Sequence, residues 1–111
     1  MGMGDLGGMM KQVQEMQERL QKVQDELETK TVTGESGGGM VRAVVNGRHQ
    51  VVGIEIEKEV INPDDAEMLG DLIVSAINQA LENSSRMAQE EMSKVTQGIL
   101  PNIPGLKLPG L

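Results

Sequence analysis

Phenylalanine, tyrosine, tryptophan and cysteine are all absent from this chain of 111 residues. Without aromatic rings, which normally give the largest burial per side chain, the core must come from Val, Ile, Leu, Met and Ala. One domain of this size hides roughly two thirds of its unfolded surface. An aromatic-free core then leaves a thin stability margin, and the composition predicts a homodimer that buries more. The lack of cysteine excludes disulfides and thiolate metal sites and suits a reducing cytoplasm. No stretch approaches about 18 consecutive apolar residues, so no membrane span and no membrane partner are expected. Residues 1–8 hold four Gly, one acid and no apolar run. They read as a mobile arm, not as a signal peptide.

Positive charge is also in short supply: ten Lys and Arg stand against seventeen Asp and Glu, for a net charge of −7. An acidic balance opposes non-specific binding to polyanions. The acid is unevenly spread. Residues 29–61 carry four charges of each sign, whereas residues 62–97 carry two basic and seven acidic side chains. The first half is therefore nearly balanced and the last helix is not.

From Met9 the apolar residues Met9, Val13, Met16, Leu20, Val23 and Leu27 repeat at alternating spacings of four and three. That is an a/d stripe on a helix about 28 Å long. Gln14, Gln17, Gln21 and Gln24 fall on one flank, and Lys11, Glu15, Glu18, Arg19, Lys22 and Glu26 on the far side. The stripe reads as core, half of it packing on its own sheet and half meeting a partner chain. A plain coiled coil is not expected from fewer than three heptads.

Thr29–Thr33 is β-branched and alternating, an edge strand. Gly34-Glu35-Ser36-Gly37-Gly38-Gly39 follows as a flexible connection. Met40–Val45 forms a second strand, and Asn46-Gly47 signals a type I′ hairpin turn with positive φ at both residues. The third strand spans His49–Glu57, with Val52, Ile54 and Ile56 toward the core and Glu55 and Glu57 outward. Asn62-Pro63-Asp64-Asp65 then reads as a helix start with an Asn cap and Pro at the first position. Leu69, Leu72, Ile73, Ala76, Ile77, Ala80 and Leu81 give that helix a wide apolar face. At Asn83-Ser84-Ser85 the pattern weakens, so either one long helix or two joined at a kink is expected. Residues 99–111 hold three Pro and two Gly and read as a flexible tail. The fold class is α+β: a two-layer α-β-β-β-α domain over 9–98 with a three-stranded antiparallel sheet.

No catalytic constellation is assembled. The glycine block lacks the Gly-Lys-Ser/Thr ending and the following helix of a phosphate loop. His49, the single histidine, has no partner set for metal or base chemistry and reads as a surface residue beside the hairpin. Glu55, Glu57 and Glu59 line one strand face, solvated or at a dimer rim, too sparse for a cation loop. No metal and no cofactor are expected, and an enzyme is not.

The remaining candidates are cations: Lys11, Arg19 and Lys22 on the first helix, Arg42 and Arg48 on the hairpin, Arg86 and Lys94 on the last helix. Singly each reads as a surface charge, but a two-fold dimer doubles the set into two arms. Lys11 and Lys22 lie within about 20° on the helical wheel, offering two phosphate contacts per arm. Without aromatics to stack on bases, single-stranded and RNA-loop targets are disfavoured. Without a recognition-helix motif, duplex reading would rest on backbone and shape with little sequence preference. The acidic last helix and apolar tail motivate an alternative, a dimeric protein-interaction module serving DNA-processing machinery.

Several segments, in order, carry a resemblance. They are Met10-Lys11-Gln12 with Gln14, Met16 and Gln17; the block from Val32 to Val41; Val45-Asn46-Gly47; and Glu67-Met68-Leu69 to Asp71-Leu72-Ile73 with Ala76, Asn78 and Ala80. Over residues 9–98, and in the Pro/Gly-rich tail, the chain resembles the YbaB/EbfC nucleoid-associated proteins. The resemblance implies a small cytoplasmic homodimer at the nucleoid that binds double-stranded DNA and alters its conformation. It also implies helices that project from a central sheet like tweezers, and consequences for nucleoid organisation, gene expression and DNA protection.

Overall fold

A computed structural model describes residues 3–99 of the chain. The order is a helix α1 (Met3–Thr29), strands β1 (Thr31–Ser36), β2 (Val41–Asn46) and β3 (Val51–Ile56), and a helix α2 (Ala66–Ile99). The strands form one antiparallel meander in the order β1-β2-β3. This is the α+β, two-layer arrangement read from the sequence. The helix α1 starts six residues before Met9, so Met3–Gly8 are helical; residues 1–2 of the N-terminal arm and 100–111 of the tail lie outside the described residues.

The head of the molecule is made where α2 lies across β1 and β2. Val41, Ala43, Val45, Ala76 and Ala80 are fully buried there, with Leu69, Leu72, Ile73, Ile77 and Leu81 packed around them. Small residues dominate this contact because helix and sheet approach closely. A Cβ on Gly34 would overlap the backbone of Ala76 and Ala80, reaching 2.8 Å from the Ala80 Cα. Only glycine fits at that crossing.

The glycine block divides in two. Gly34-Glu35-Ser36 belong to β1, which therefore runs later than Thr29–Thr33, and only Gly37–Gly39 make the turn. Those three glycines adopt φ of 60°, 68° and 94°, a left-handed region where other residues are strained. The turn leads into a strand and not a helix, which is the geometry of a hairpin connection.

At the second hairpin the expected type I′ turn is not formed: neither Asn46 nor Gly47 has positive φ, and His49 does, at 63°. Asn46 N–H donates to the Gln50 carbonyl at 2.9 Å, leaving a three-residue loop with its left-handed position at His49. Gly47 is needed for a different reason. Its N–H donates to the carbonyls of Leu27 and Lys30 at 2.8 and 3.0 Å, and a Cβ would sit 2.6 Å from the Leu27 side chain. The buried Asn46 side chain organises the loop: its Oδ1 accepts from Arg48 N–H and Gln50 N–H, both at 3.0 Å, and its amide donates to the Glu28 carbonyl at 3.1 Å. Thus the Asn-Gly pair locks the end of α1 to the sheet.

In β3 the alternation shifts. Val44 pairs with Gly53 and Val45 with Val51, leaving Val52 as the extra residue of a bulge. Ile54 and Ile56 share the core-side face with Ala43 and Val41, as expected, but Val51 and not Val52 continues it. Because α2 covers β1 and β2, Val51 and Ile54 remain exposed on that face.

The α2 helix is a single element. Asn62 Oδ1 accepts from Asp64 N–H at 3.0 Å, capping a 3-10 turn over Pro63–Asp65 that feeds into it. The polar step at Asn83-Ser84-Ser85 is no kink, because each side chain finds a partner in the head. Asn83 donates to the Thr33 carbonyl at 2.8 Å, and the fully buried Ser84 hydroxyl donates to the Asn46 carbonyl at 2.6 Å. Ser85 Oγ lies 2.9 Å from His49 Nε2.

Candidate nucleic-acid interface

Beyond the head, α2 runs back along α1 as an antiparallel pair, giving the molecule a length of 75 Å against widths of 28 and 16 Å. This arm is held by little apolar burial. Val23 and Leu27 are buried near the head, Leu20 and Met16 are half-buried, and Val13 is exposed. What the arm carries instead is charge.

Arg19, Lys22, Val23 and Glu26 of α1 line a shallow groove with Glu91, Lys94 and Val95 of α2. The geometry follows from sequence spacing: Arg19 and Lys22 stand one turn apart on α1, and Glu91 and Lys94 one turn apart on α2. Glu91 is the organising anion, its side chain only 17% exposed, with Lys30 Nζ at 3.1 Å and Lys94 Nζ at 3.3 Å. Hydrogen bonds from Lys30 and then Lys94 hold its carboxyl below the usual glutamate value, against the opposing effect of burial. Lys94 keeps most of its surface in water, so its ammonium remains available to an incoming anion.

The candidate cations separate into two groups. Arg42 lies on the sheet, where it bridges Glu35 at 3.0 Å and Glu55 at 3.8 Å. Arg48 in the hairpin loop faces Glu28 at 3.7 Å. Arg19, Lys22 and Lys94 are brought together on the arm, and Lys11 is exposed farther out on the same helix. Arg86 is exposed on α2, eight residues before Lys94. Lys11, Arg19, Lys22 and Arg86 form no ion pair among the described residues. Sequence reasoning missed Lys30 and Glu91 as parts of this cluster. Their pairing spans 61 positions along the chain, and no local spacing signals it.

His49 is engaged with Ser85, and Glu55 with Arg42, so neither stands as a separate centre. Among the described residues no group of three or more His, Cys, Asp or Glu side chains is placed to hold a metal. No described helix is long and apolar enough to cross a membrane.

A small α+β head with a charged two-helix arm defines the class of fold. Comparison with known proteins specifies the class: the sequence profile of the YbaB/EbfC DNA-binding family matches residues 3–99, and the chain belongs to that family. It is 49% identical to a nucleoid-associated protein of Syntrophobacter fumaroxidans over 102 residues, covering 92% of this chain and 91% of that one. A nucleoid-associated protein of Caldanaerobacter subterraneus is 53% identical over 102 residues, covering 92% and 90%. An uncharacterised Helicobacter pylori protein of known structure shares the fold, with a TM-score of 0.57 and 22% identity, over 79% of this chain and 98% of that one.

Proposed function

We propose that the protein acts as a homodimer that binds duplex DNA along its arms with little sequence preference and alters its conformation. The phosphate-contacting residues are Lys11, Arg19, Lys22, Arg86 and Lys94. The observation that carries this reading is the collection of Arg19, Lys22 and Lys94 on one groove of the arm. Among the described residues both head arginines face a carboxylate, whereas of the three arm cations only Lys94 does, and it is the most exposed of the paired ones. Backbone contacts of this kind fix position without reading bases, which suits a chain with no recognition helix and no aromatic side chain. In the dimer each arm appears twice.

The dimer is supported by apolar side chains that stay uncovered on the sheet, the loop after it and the outer side of α2. Val51, Ile54, Ile61, Met68 and Val74 are all exposed, on an aromatic-free domain whose own core is small. A nucleoid location in the cytoplasm follows from the same reading, and with it a role in nucleoid organisation, gene expression and DNA protection.

The test is fluorescence anisotropy of labelled duplex DNA titrated at several salt concentrations, since the protein has no Trp or Tyr to report. With about four to six phosphate contacts, log affinity falls against log salt with a slope of roughly −4 to −5. The pair Lys11→Glu and Lys22→Glu lowers both the affinity and the slope. Binding indifferent to salt, or absent at low salt, removes duplex binding along the arms and leaves a dimeric interaction module acting through the acidic last helix and tail.

A further inference from the structure

The Asn46-Gly47 pair carries a chemistry besides the turn it signals. Asn46 is the asparagine of this chain that precedes a glycine. A carboxamide in that position is prone to ring closure, because glycine has no side chain to hinder attack by its own backbone nitrogen. Asn62 precedes Pro63, whose nitrogen has no proton to lose. Both Asn46 and Gly47 are buried, although Arg48, His49 and Gln50 beside them are exposed.

The two reacting groups are held apart by hydrogen bonds. Gly47 N–H is shared between the Leu27 and Lys30 carbonyls at 2.8 and 3.0 Å. Loss of its proton there would set a buried anion against two carbonyl oxygens. The Asn46 Oδ1 accepts from Arg48 and Gln50 N–H, both at 3.0 Å. Its Nδ2 donates to the Glu28 carbonyl at 3.1 Å and to Gln50 Oε1 at 2.8 Å. Leu27 and Glu28 belong to the last turn of α1 and Lys30 follows it, so the shield over this pair comes from α1.

We propose that Asn46-Gly47 is a deamidation site that the docking of α1 keeps closed, and that it reacts, irreversibly, only when α1 lifts from the hairpin. In the open state Gly47 N gives its proton to a base in solvent and attacks Asn46 Cγ. The N–Cγ bond forms, the Cγ–Nδ2 bond breaks, and Nδ2 takes a proton from water and leaves as ammonia. Water then opens the cyclic imide at either carbonyl, giving aspartate or isoaspartate. The net change is amide plus water to carboxylic acid plus ammonia. Neither product fits the closed site. An aspartate oxygen in place of Nδ2 faces the Glu28 carbonyl, acceptor against acceptor in a buried place. Isoaspartate adds a methylene to the main chain and carries Gly47 N–H away from Leu27 and Lys30. Deamidation thus weakens the docking that had prevented it. The inference does not depend on duplex binding.

The test follows residues 43–48, which trypsin releases as one peptide. Full-length protein is incubated at mildly alkaline pH in heavy-oxygen water and digested in ordinary water, so that only product formed during incubation carries the label in its new carboxyl group. The folded chain accumulates labelled aspartate and isoaspartate at position 46 at least about tenfold more slowly than the chain in urea, because only the open state reacts. Leu27→Ala removes the buried side chain that packs against Gly47 and raises the rate in buffer by about tenfold. Equal rates in buffer and urea, no product in urea, or a Leu27→Ala rate no faster than the parent's each overturn the proposal. In a second measurement, full-length Asn46→Asp stands for the aspartate product. It speeds amide exchange across residues 20–30 by about tenfold while the exchange of Val41 and Ala43 in β2 stays put. Exchange that rises equally in both places, or in neither, counts against an effect on α1.

Discussion

The head and the arm of this molecule are built by opposite means. In the head, close approach does the work: Gly34 admits α2 onto β1, Ala76 and Ala80 are fully buried, and polar groups such as Asn46 and Ser84 are buried with their hydrogen bonds made. In the arm, two helices touch through a few apolar side chains and an ion cluster around Glu91, and most of the surface is wet. A close-packed interior tolerates little change in volume, whereas surface charges act weakly on stability and strongly on an incoming polyanion. On the proposed reading, stability therefore resides in the head and recognition in the arm.

The largest expected effect is on the head. Gly34→Val drives side-chain atoms into the backbone of Ala76 and Ala80. It lowers stability by about 3 kcal/mol or more, seen as a drop in thermal midpoint by circular dichroism. On the arm, Arg19→Glu with Lys22→Glu leaves that midpoint within a few degrees while weakening duplex binding by about tenfold, or roughly 1.4 kcal/mol. The matching head pair, Arg42→Ala with Arg48→Ala, changes binding by less than about twofold, because both guanidinium groups already face carboxylates. A larger loss from the head pair erases the division between the two regions.

The smallest effect concerns the ion cluster that closes the arm. The folded-state pKa of Glu91 lies below its ordinary value of 4.5, so its pairing stabilises the fold above that pH. The contribution is lost as pH falls through the lowered value. Glu91→Gln is accordingly less stable than the parent at neutral pH, and the two thermal midpoints converge under acid. Midpoints that stay apart down to low pH show that the residue acts by packing and not by charge.

Much of the fold was legible because it rests on local chemistry. The apolar spacing from Met9 to Leu27, the Asn62-Pro63 start and the Asn46-Gly47 signal each mark an element that forms at that place. Where legibility failed, the deciding contact was distant. Asn83-Ser84-Ser85 looks like a break in a helix, yet carbonyls of Thr33 and Asn46 and the His49 ring accommodate it within one. Gly47 looks like a turn glycine, but the Leu27 side chain is what leaves no room for a Cβ. Val52 alternates correctly along the chain and is displaced by a bulge. For the site, the cation-bearing helices were readable, but the grouping of Arg19 and Lys22 with Lys94, and the place of Lys30 and Glu91 beside them, was not.

The sequence by itself determined the elements, their order and an aromatic-free core that must rely on small and branched side chains, because propensity, capping and periodicity act over a few residues. Tertiary structure alone decided which cations meet a carboxylate (Arg42, Arg48, Lys30 and Lys94) and that Arg19 and Lys22 stand beside Lys94 on the arm. That sorting depends on distances between residues far apart in the chain, set by α2 crossing the sheet at Gly34 and returning along α1.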